Sequence, residues 1–326
     1  MLRILWAIAR NTFTETIRQP AYVVLLAAGM VLIAFSPLIA MFTMMEDVQL
    51  VVDMGLATIF LAGLVLSALS ASQVISVEIR AKTAATVMSK PVGRFTFVLG
   101  KYFGVLAAQF LAIYLLGLIL VFTKRMGVPE YAGFKPDFPV LIAQLLPMAI
   151  VIAYGLYANY FHRAVFASTA TLLAVPLYTA AFVFLCLVSK EWRLEFFAVT
   201  FRGLAVDQLA VAVLLLFFGV AVMASVAVAA STRLQTVANI SLCSAVFLLG
   251  MVSDYVLGRM APRSMVAKLF YWATPNFQAF WVSDQLIQPN AYIPLAYVRE
   301  MGIYAAALIG ALLCLGSFLF EERELV

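Results

Sequence analysis

Long unbroken apolar runs alternate with short polar breaks along this chain, and each run is long enough to cross a bilayer. A spanning helix needs about 20 mostly apolar residues. Eight segments meet that requirement, near 21–42, 54–77, 96–123, 138–160, 165–188, 208–231, 236–256 and 301–320. None shows the strict alternation of polarity that marks a transmembrane barrel strand. In lipid a helix satisfies its backbone hydrogen bonds within itself, so the pattern predicts an all-α, polytopic integral membrane protein. An even number of spans puts both termini on one side.

Composition supports a lipid solvent. Of 326 residues, 65% are hydrophobic and 11% charged, and the mean hydropathy is +1.05. A soluble chain is about half apolar and about a quarter charged. The net charge of +5 is therefore read as Lys and Arg facing anionic lipid rather than nucleic acid.

The basic residues orient the first three spans. Arg3, Arg10 and Arg18 precede the first span, and Arg80, Lys82, Lys90 and Arg94 connect the second to the third. The intervening loop carries only Glu46, Asp47 and Asp53. The contrast predicts cytoplasmic termini. Lys124, Arg125, Lys190, Arg193, Arg259, Arg263 and Lys268 fall on the outer side in the same scheme and weaken the pattern further along.

Residues 1–19 are not read as a signal peptide, because Arg3 and Arg10 interrupt the apolar stretch. They predict an amphipathic helix lying in the interface, with an unstructured basic leader as the competing reading. Leu2, Leu5, Ala9, Phe13 and Ile17 form one stripe, the arginines lie on another face, and Pro20 ends the helix. Across 257–300 the chain is too broken to span and too apolar for a free linker. We read 265–271 and 277–287 as short helices at the outer interface, where Trp and Tyr are favoured.

Several chemistries lack their residues. There is no Walker A motif: near Gly100–Lys101 the spacing is wrong and Tyr102 stands where Ser or Thr is needed. His162 is the single histidine, so HExxH metalloprotease chemistry is excluded. It is read as a solvated loop residue beside Arg163, with a Ser–His dyad as the competing reading. Cys186, Cys243 and Cys314 each lie in an apolar run and form no zinc motif or disulfide framework. Met41, Met44 and Met45 could suit a soft metal, yet Met is common in apolar helices. No Asp or Glu occupies a span centre, which counts against an ion-coupled carrier. Gln109, Gln144, Asn159 and Asn239 are the polar residues within or near spans, expected mainly as interhelical hydrogen-bond glue.

The most informative stretch runs over 78–94. Good helix formers at 81–88 predict a short surface helix stopped by Pro91. Ile79, Val87 and Met88 are its apolar contacts, set among Arg80, Lys82, Lys90 and Arg94. A plain connection needs only a few residues, so a segment of this length is expected to touch a partner. The competing reading is a solvated basic loop that only enforces topology.

The pattern Glu78, Lys82–Thr83, Ser89–Lys90–Pro91, Arg94 and Gly100–Lys101 resembles the coupling-helix region of type-2 ABC export permeases, such as those of gliding motility and of nitrous-oxide-reductase maturation. Residues 1–20, with Ala9, Phe13, Glu15, Arg18 and Pro20, resemble the family's interfacial helix. Ser231–Thr232–Arg233 resembles its short cytoplasmic turn before the penultimate span. Ala273–Thr274–Pro275, with Phe277 and Phe280, resembles its outer helices, and Phe320–Glu321–Glu322–Arg323–Glu324–Leu325 its charged end. Members commonly have about six spans; this chain shows eight, with the extra pair expected within 138–231.

The resemblance implies a single permease domain over 1–326 in the bacterial inner membrane, paired with a second copy or paralogue. A separate ATPase would carry ATP and magnesium, leaving no cofactor and no enzymatic activity on this chain. The coupling residues it implies are Glu78, Arg80, Lys82, Thr83, Val87, Met88, Ser89, Lys90, Pro91 and Arg94. On the interfacial helix it implies Arg3, Arg10, Phe13 and Arg18. The alternative is a membrane scaffold or force-transmitting subunit of an ABC-type complex that moves no substrate.

Overall fold

The computed structural model describes residues 2–41, 47–76, 93–127, 136–195, 201, 204–260, 264, 265, 268, 270, 271, 274–287 and 292–321. Among them the helices are α1 (Leu2–Ile17), α2 (Pro20–Ala40), α3 (Asp47–Ala71), α4 (Arg94–Met126), α5 (Phe138–His162), α6 (Phe166–Leu187), α7 (Val206–Ser231), α8 (Thr236–Ser253), α9 (Ser283–Ile287) and α10 (Leu295–Glu321). A π-helical turn extends α3 over Ser72–Ser76, and another extends α8 over Asp254–Gly258. The described residues contain no strand, only an isolated bridge between Val188 and Leu194.

Eight described helices are long and apolar enough to cross a bilayer: α2 to α8 and α10. They match the eight apolar runs of the sequence one for one. The chain is an all-α integral membrane protein.

Burial orders these spans. More than half of α3, α4 and α7 is buried, whereas each of the other five buries a third or less. Three central helices therefore carry the core, with α2, α8 and α10 packed around them. Close approach within the core depends on missing side chains. A Cβ on Gly63 of α3 would fall 2.6 Å from Val220 Cγ2 of α7.

The α5–α6 hairpin stands outside this core. Its two helices pack mainly on each other; both reach α4, and α6 also touches α1 and α2. It contributes two of the eight spans, over Phe138–His162 and Phe166–Leu187. Arg163 turns the hairpin in left-handed backbone at φ 53°, and Asn159 Nδ2 donates to Ala164 O at 2.8 Å. At the other end polar side chains pin the hairpin to α4. Arg125 Nε lies 3.2 Å from Asp137 Oδ2, and the two side chains are 4% and 3% exposed. The same guanidinium donates to the carbonyls of Leu185, in the last turn of α6, and Val188, just past its end. Asp137 also accepts from Val140 N–H at 3.2 Å, capping α5. Arg125, placed among the outer basic residues by sequence, is thus a buried crosslink for two helix ends. Gln144 Nε2 to Thr123 Oγ1 at 3.2 Å and Tyr178 OH to Gln144 O at 3.2 Å add to the same end.

Between α8 and α10 the chain turns back into the bundle. Phe277 and Phe280 are fully buried, the first just before and the second at the end of the 3-10 turn Gln278–Phe280. Gly219, which faces Phe280, lies 13 residues past Val206, about 20 Å along α7 at 1.5 Å per residue. The sequence reading put 277–287 at the outer interface; the structure seats Phe277 and Phe280 among the spans. Irregular backbone at such depth needs partners inside the protein. Phe277 N–H donates to Gly250 O at 3.2 Å, Asn276 N–H to Tyr304 OH at 3.0 Å, and Tyr297 OH to Ala279 O. Phe60 packs edge-on against Phe247 and Phe277, with centroids 5.2 and 6.2 Å away, and the latter reaches it from the returning segment. Of the predicted short helix at 265–271, residues 265, 268, 270 and 271 are described, all in helical conformation.

Candidate functional site

The ends of α1, α3, α4, α7, α8 and α10 meet at one end of the bundle. The foundation is α4. Its 33 residues span about 50 Å, well beyond a hydrocarbon core of about 30 Å. Its first turns carry Gly100, Gly104 and Ala108 at intervals of four, a small-residue stripe on one face. α1 runs along that stripe. A Cβ on Gly100 would lie 2.8 Å from Ile8 Cγ2, and Tyr22 OH donates to Ala108 O at 2.7 Å just past the end of α1.

Lys101 lies under this cover. Its ammonium is 3.9 Å from the Glu15 carboxylate and 5.5 Å above the Phe97 ring. Phe97 in turn stacks on Phe320 of α10 at 5.7 Å. The turn after α7 closes the circle, with Arg233 Nε donating to Leu319 O at 2.7 Å. On the α3 side, Asn239 Nδ2 donates to Ser72 Oγ at 2.7 Å and to Ala68 O and Ala227 O at 3.3 Å. One amide thus ties α8 to α3 and α7, the role expected for polar residues inside spans. Ser72 opens the π turn, a distortion frequent at functional sites.

The exposed surface of α1 carries Arg3 and Arg10, and Arg18 is exposed just past its end. Ala9, Thr12, Thr16 and Ile17 are buried, and Phe13 is half-buried against the core. Trp6 and Leu2 are 69% and 83% exposed. The predicted apolar stripe is therefore divided: Ala9 and Ile17 face the protein, while Leu2 is open.

Glu78, Arg80, Lys82, Thr83, Val87, Met88, Ser89, Lys90 and Pro91 lie outside the described residues. Their anchors are described. The π turn of α3 precedes the segment, and Gly93 caps α4 after it in extended backbone, with Arg94 as first helical residue. Both anchors belong to central helices.

Sequence reasoning missed two features. Gln109 is fully buried midway along α4, and neither amide atom has a hydrogen-bond partner. The hydroxyls of Thr12 and Thr16 on α1 are likewise buried without a partner. The amide was visible as a polar residue in an apolar run, but its isolation depends on what α4 meets. The second feature is a cavity of about 300 Å³ between α4, α6 and α7, with almost wholly apolar walls. Among the described residues no three His, Cys, Asp or Glu side chains gather to hold a metal, and Cys186, Cys243 and Cys314 form no disulfide.

No family model matches this chain, and no curated protein is similar to it. Its own geometry therefore supports one conclusion at this level: it is an integral membrane protein whose three central helices lead to a composite surface at one end of the bundle.

Proposed function

We propose that this chain is the permease subunit of an ATP-driven exporter of the type-2 ABC class, worked by a separate ATPase. The observation that carries the reading is the anchoring of segment 77–92. It joins α3 to α4, both central, and α1 and the end of α10 flank its attachment. A force on that segment would enter two central helices at once, whereas the α5–α6 hairpin meets only one of them, α4, closely. Six core spans, a leading helix against α4 and a returning segment before the last span agree with the family resemblance once the hairpin is set aside.

In this reading both termini and segment 77–92 face the cytoplasm of a bacterial inner membrane. Two permease subunits pair, and two ATPase subunits bind ATP and magnesium. Closure of the ATPases moves segment 77–92, which biases α3 and α4 between two arrangements. Glu78, Arg80, Lys82, Lys90 and Arg94 would supply the polar contacts to the motor, and Val87 and Met88 the apolar ones.

The test is reconstitution with the candidate ATPase. Charge reversal at Glu78 or Arg80, or Ala84→Pro, is expected to leave the protein folded while separating ATP hydrolysis from transport into vesicles. Unchanged transport in all three variants would remove the coupling role. An ATPase that binds and hydrolyses without any flux would instead favour the scaffold reading.

A further inference from the structure

We infer that the cavity between α4, α6 and α7 is a binding site for a hydrocarbon chain of a bilayer phospholipid. The inference does not depend on the exporter reading.

The cavity owes its existence to the hairpin. Polar contacts pin α6 to α4 near residues 178–188, and α6 does not close against α7. The resulting wedge has α4 as its floor, Phe182 of α6 on one side and Val213 and Phe217 of α7 on the other. Gly117 lowers the floor: a Cβ there would meet Val213 Cγ1 at 3.4 Å, an ordinary contact distance, and only a much larger side chain would fill the space. Phe110 and Leu214, both on the rim, are 56% and 40% exposed, so the wedge opens sideways. Every lining residue belongs to a spanning helix, so that opening faces lipid.

Wall chemistry selects the occupant. Among the described lining residues Tyr114 is the sole polar side chain, and its hydroxyl is engaged with Thr179 Oγ1 at 2.9 Å. Buried water needs two to four polar partners, which this surface does not offer. A polar cargo would lose its hydration without replacement. A void left empty would forfeit dispersion contacts on every wall. Hydrocarbon fits all three conditions, and lipid tails are the hydrocarbon at hand. The volume of about 300 Å³ falls at the lower end of small-molecule sites and suits part of a flexible chain rather than a protein helix, which is about 10 Å across. Opposite charges lie at one end of the wedge: Lys124, in the last turn of α4, and Asp207, beside Val206. A headgroup lying there would leave its chain pointing along α4.

The test uses the full chain reconstituted with a phospholipid carrying a photoactivatable diazirine in one acyl chain, with adducts mapped by mass spectrometry. Adducts are expected to concentrate on the lining of α4, α6 and α7 over the lipid-facing residues of α5 and α8. Gly117→Phe, which fills the wedge from its floor, is expected to lower cavity adducts about tenfold, a change equal to about 1.4 kcal/mol, without altering those on α8. Leu214→Ala serves as a second variant, since it widens the rim without filling the floor, and is expected to keep the adducts. Labelling spread evenly around the protein, or unchanged cavity labelling in folded Gly117→Phe, would overturn the proposal. So would a disulfide between two copies carrying cysteine at Leu214, because the wedge would then be covered by protein.

Discussion

Gly104 of α4 lies directly beneath Thr12 of α1: a Cβ at position 104 would fall 2.4 Å from Thr12 Cβ and 2.6 Å from Ala9 O. No rotamer of a larger residue relieves a clash with backbone. Gly104→Leu should therefore lift α1 from α4, at a cost of about 1–3 kcal/mol for overpacking. In a background without native cysteines, maleimide should label Ala9→Cys rapidly in the Gly104→Leu protein and slowly in its parent. Equal labelling rates would show that α1 does not need this contact.

The Arg125–Asp137 pair makes a second, separable prediction. Both side chains are buried, so removing one partner leaves an uncompensated charge as well as open helix ends. Arg125→Met is expected to destabilise the detergent-solubilised protein by about 3–5 kcal/mol. The double variant Arg125→Met with Asp137→Leu should regain much of this loss while still lacking the α5 cap, worth about 1 kcal/mol. Thermal unfolding of the singles and the double measures both. If the double is no better than Arg125→Met, the pair is not coupled.

Gln109 should behave in the opposite sense. Both of its amide atoms are buried without partners, so it contributes a desolvation cost and no compensating bond in this arrangement of helices. Gln109→Leu is expected to raise the melting temperature, removing a penalty of roughly 1–3 kcal/mol. Gln109→Glu should lower it, since a charge in that position is costlier still. A fall in melting temperature with Leu would mean that the amide has a partner in the folded protein after all.

The returning segment depends on Gly250. A Cβ there would lie 2.4 Å from both Phe277 Cδ2 and Pro275 O. Gly250→Val should expel Phe277 from its place between α3 and α8. A membrane-impermeant maleimide given access to both faces should then label Phe277→Cys, which is protected when Gly250 is intact. Continued protection would mean that the segment is held by its hydrogen bonds to Gly250 and Tyr304 without the close packing.

Much of the architecture is legible in the amino-acid sequence, and much of the candidate site is not. Each apolar run of about 20 residues reports a span by itself, because in lipid a helix must close its own hydrogen bonds and needs no neighbour to do so. The eight spans, the helical class and the break at Pro20 follow from local sequence. Arg125 illustrates the limit. Counted by position it is an outer-side cation, yet its side chain is 4% exposed, because Asp137 and the end of α6 are folded back upon it. That partnership joins residues up to 63 apart.

The same division holds elsewhere. Sequence alone determined how many helices cross the membrane and which face of α1 carries its arginines. Tertiary structure decided that α3, α4 and α7 are central, that α5 and α6 stand aside with a wedge behind them, and that Phe277 and Phe280 sit among the spans. The physical reason is that lipid and protein interiors are nearly equal in polarity, so hydropathy marks entry into the membrane without ranking positions within it. Order inside the bundle is set by shape, by where Gly63, Gly104 and Gly250 let backbones approach, and by which few polar groups find partners across the chain.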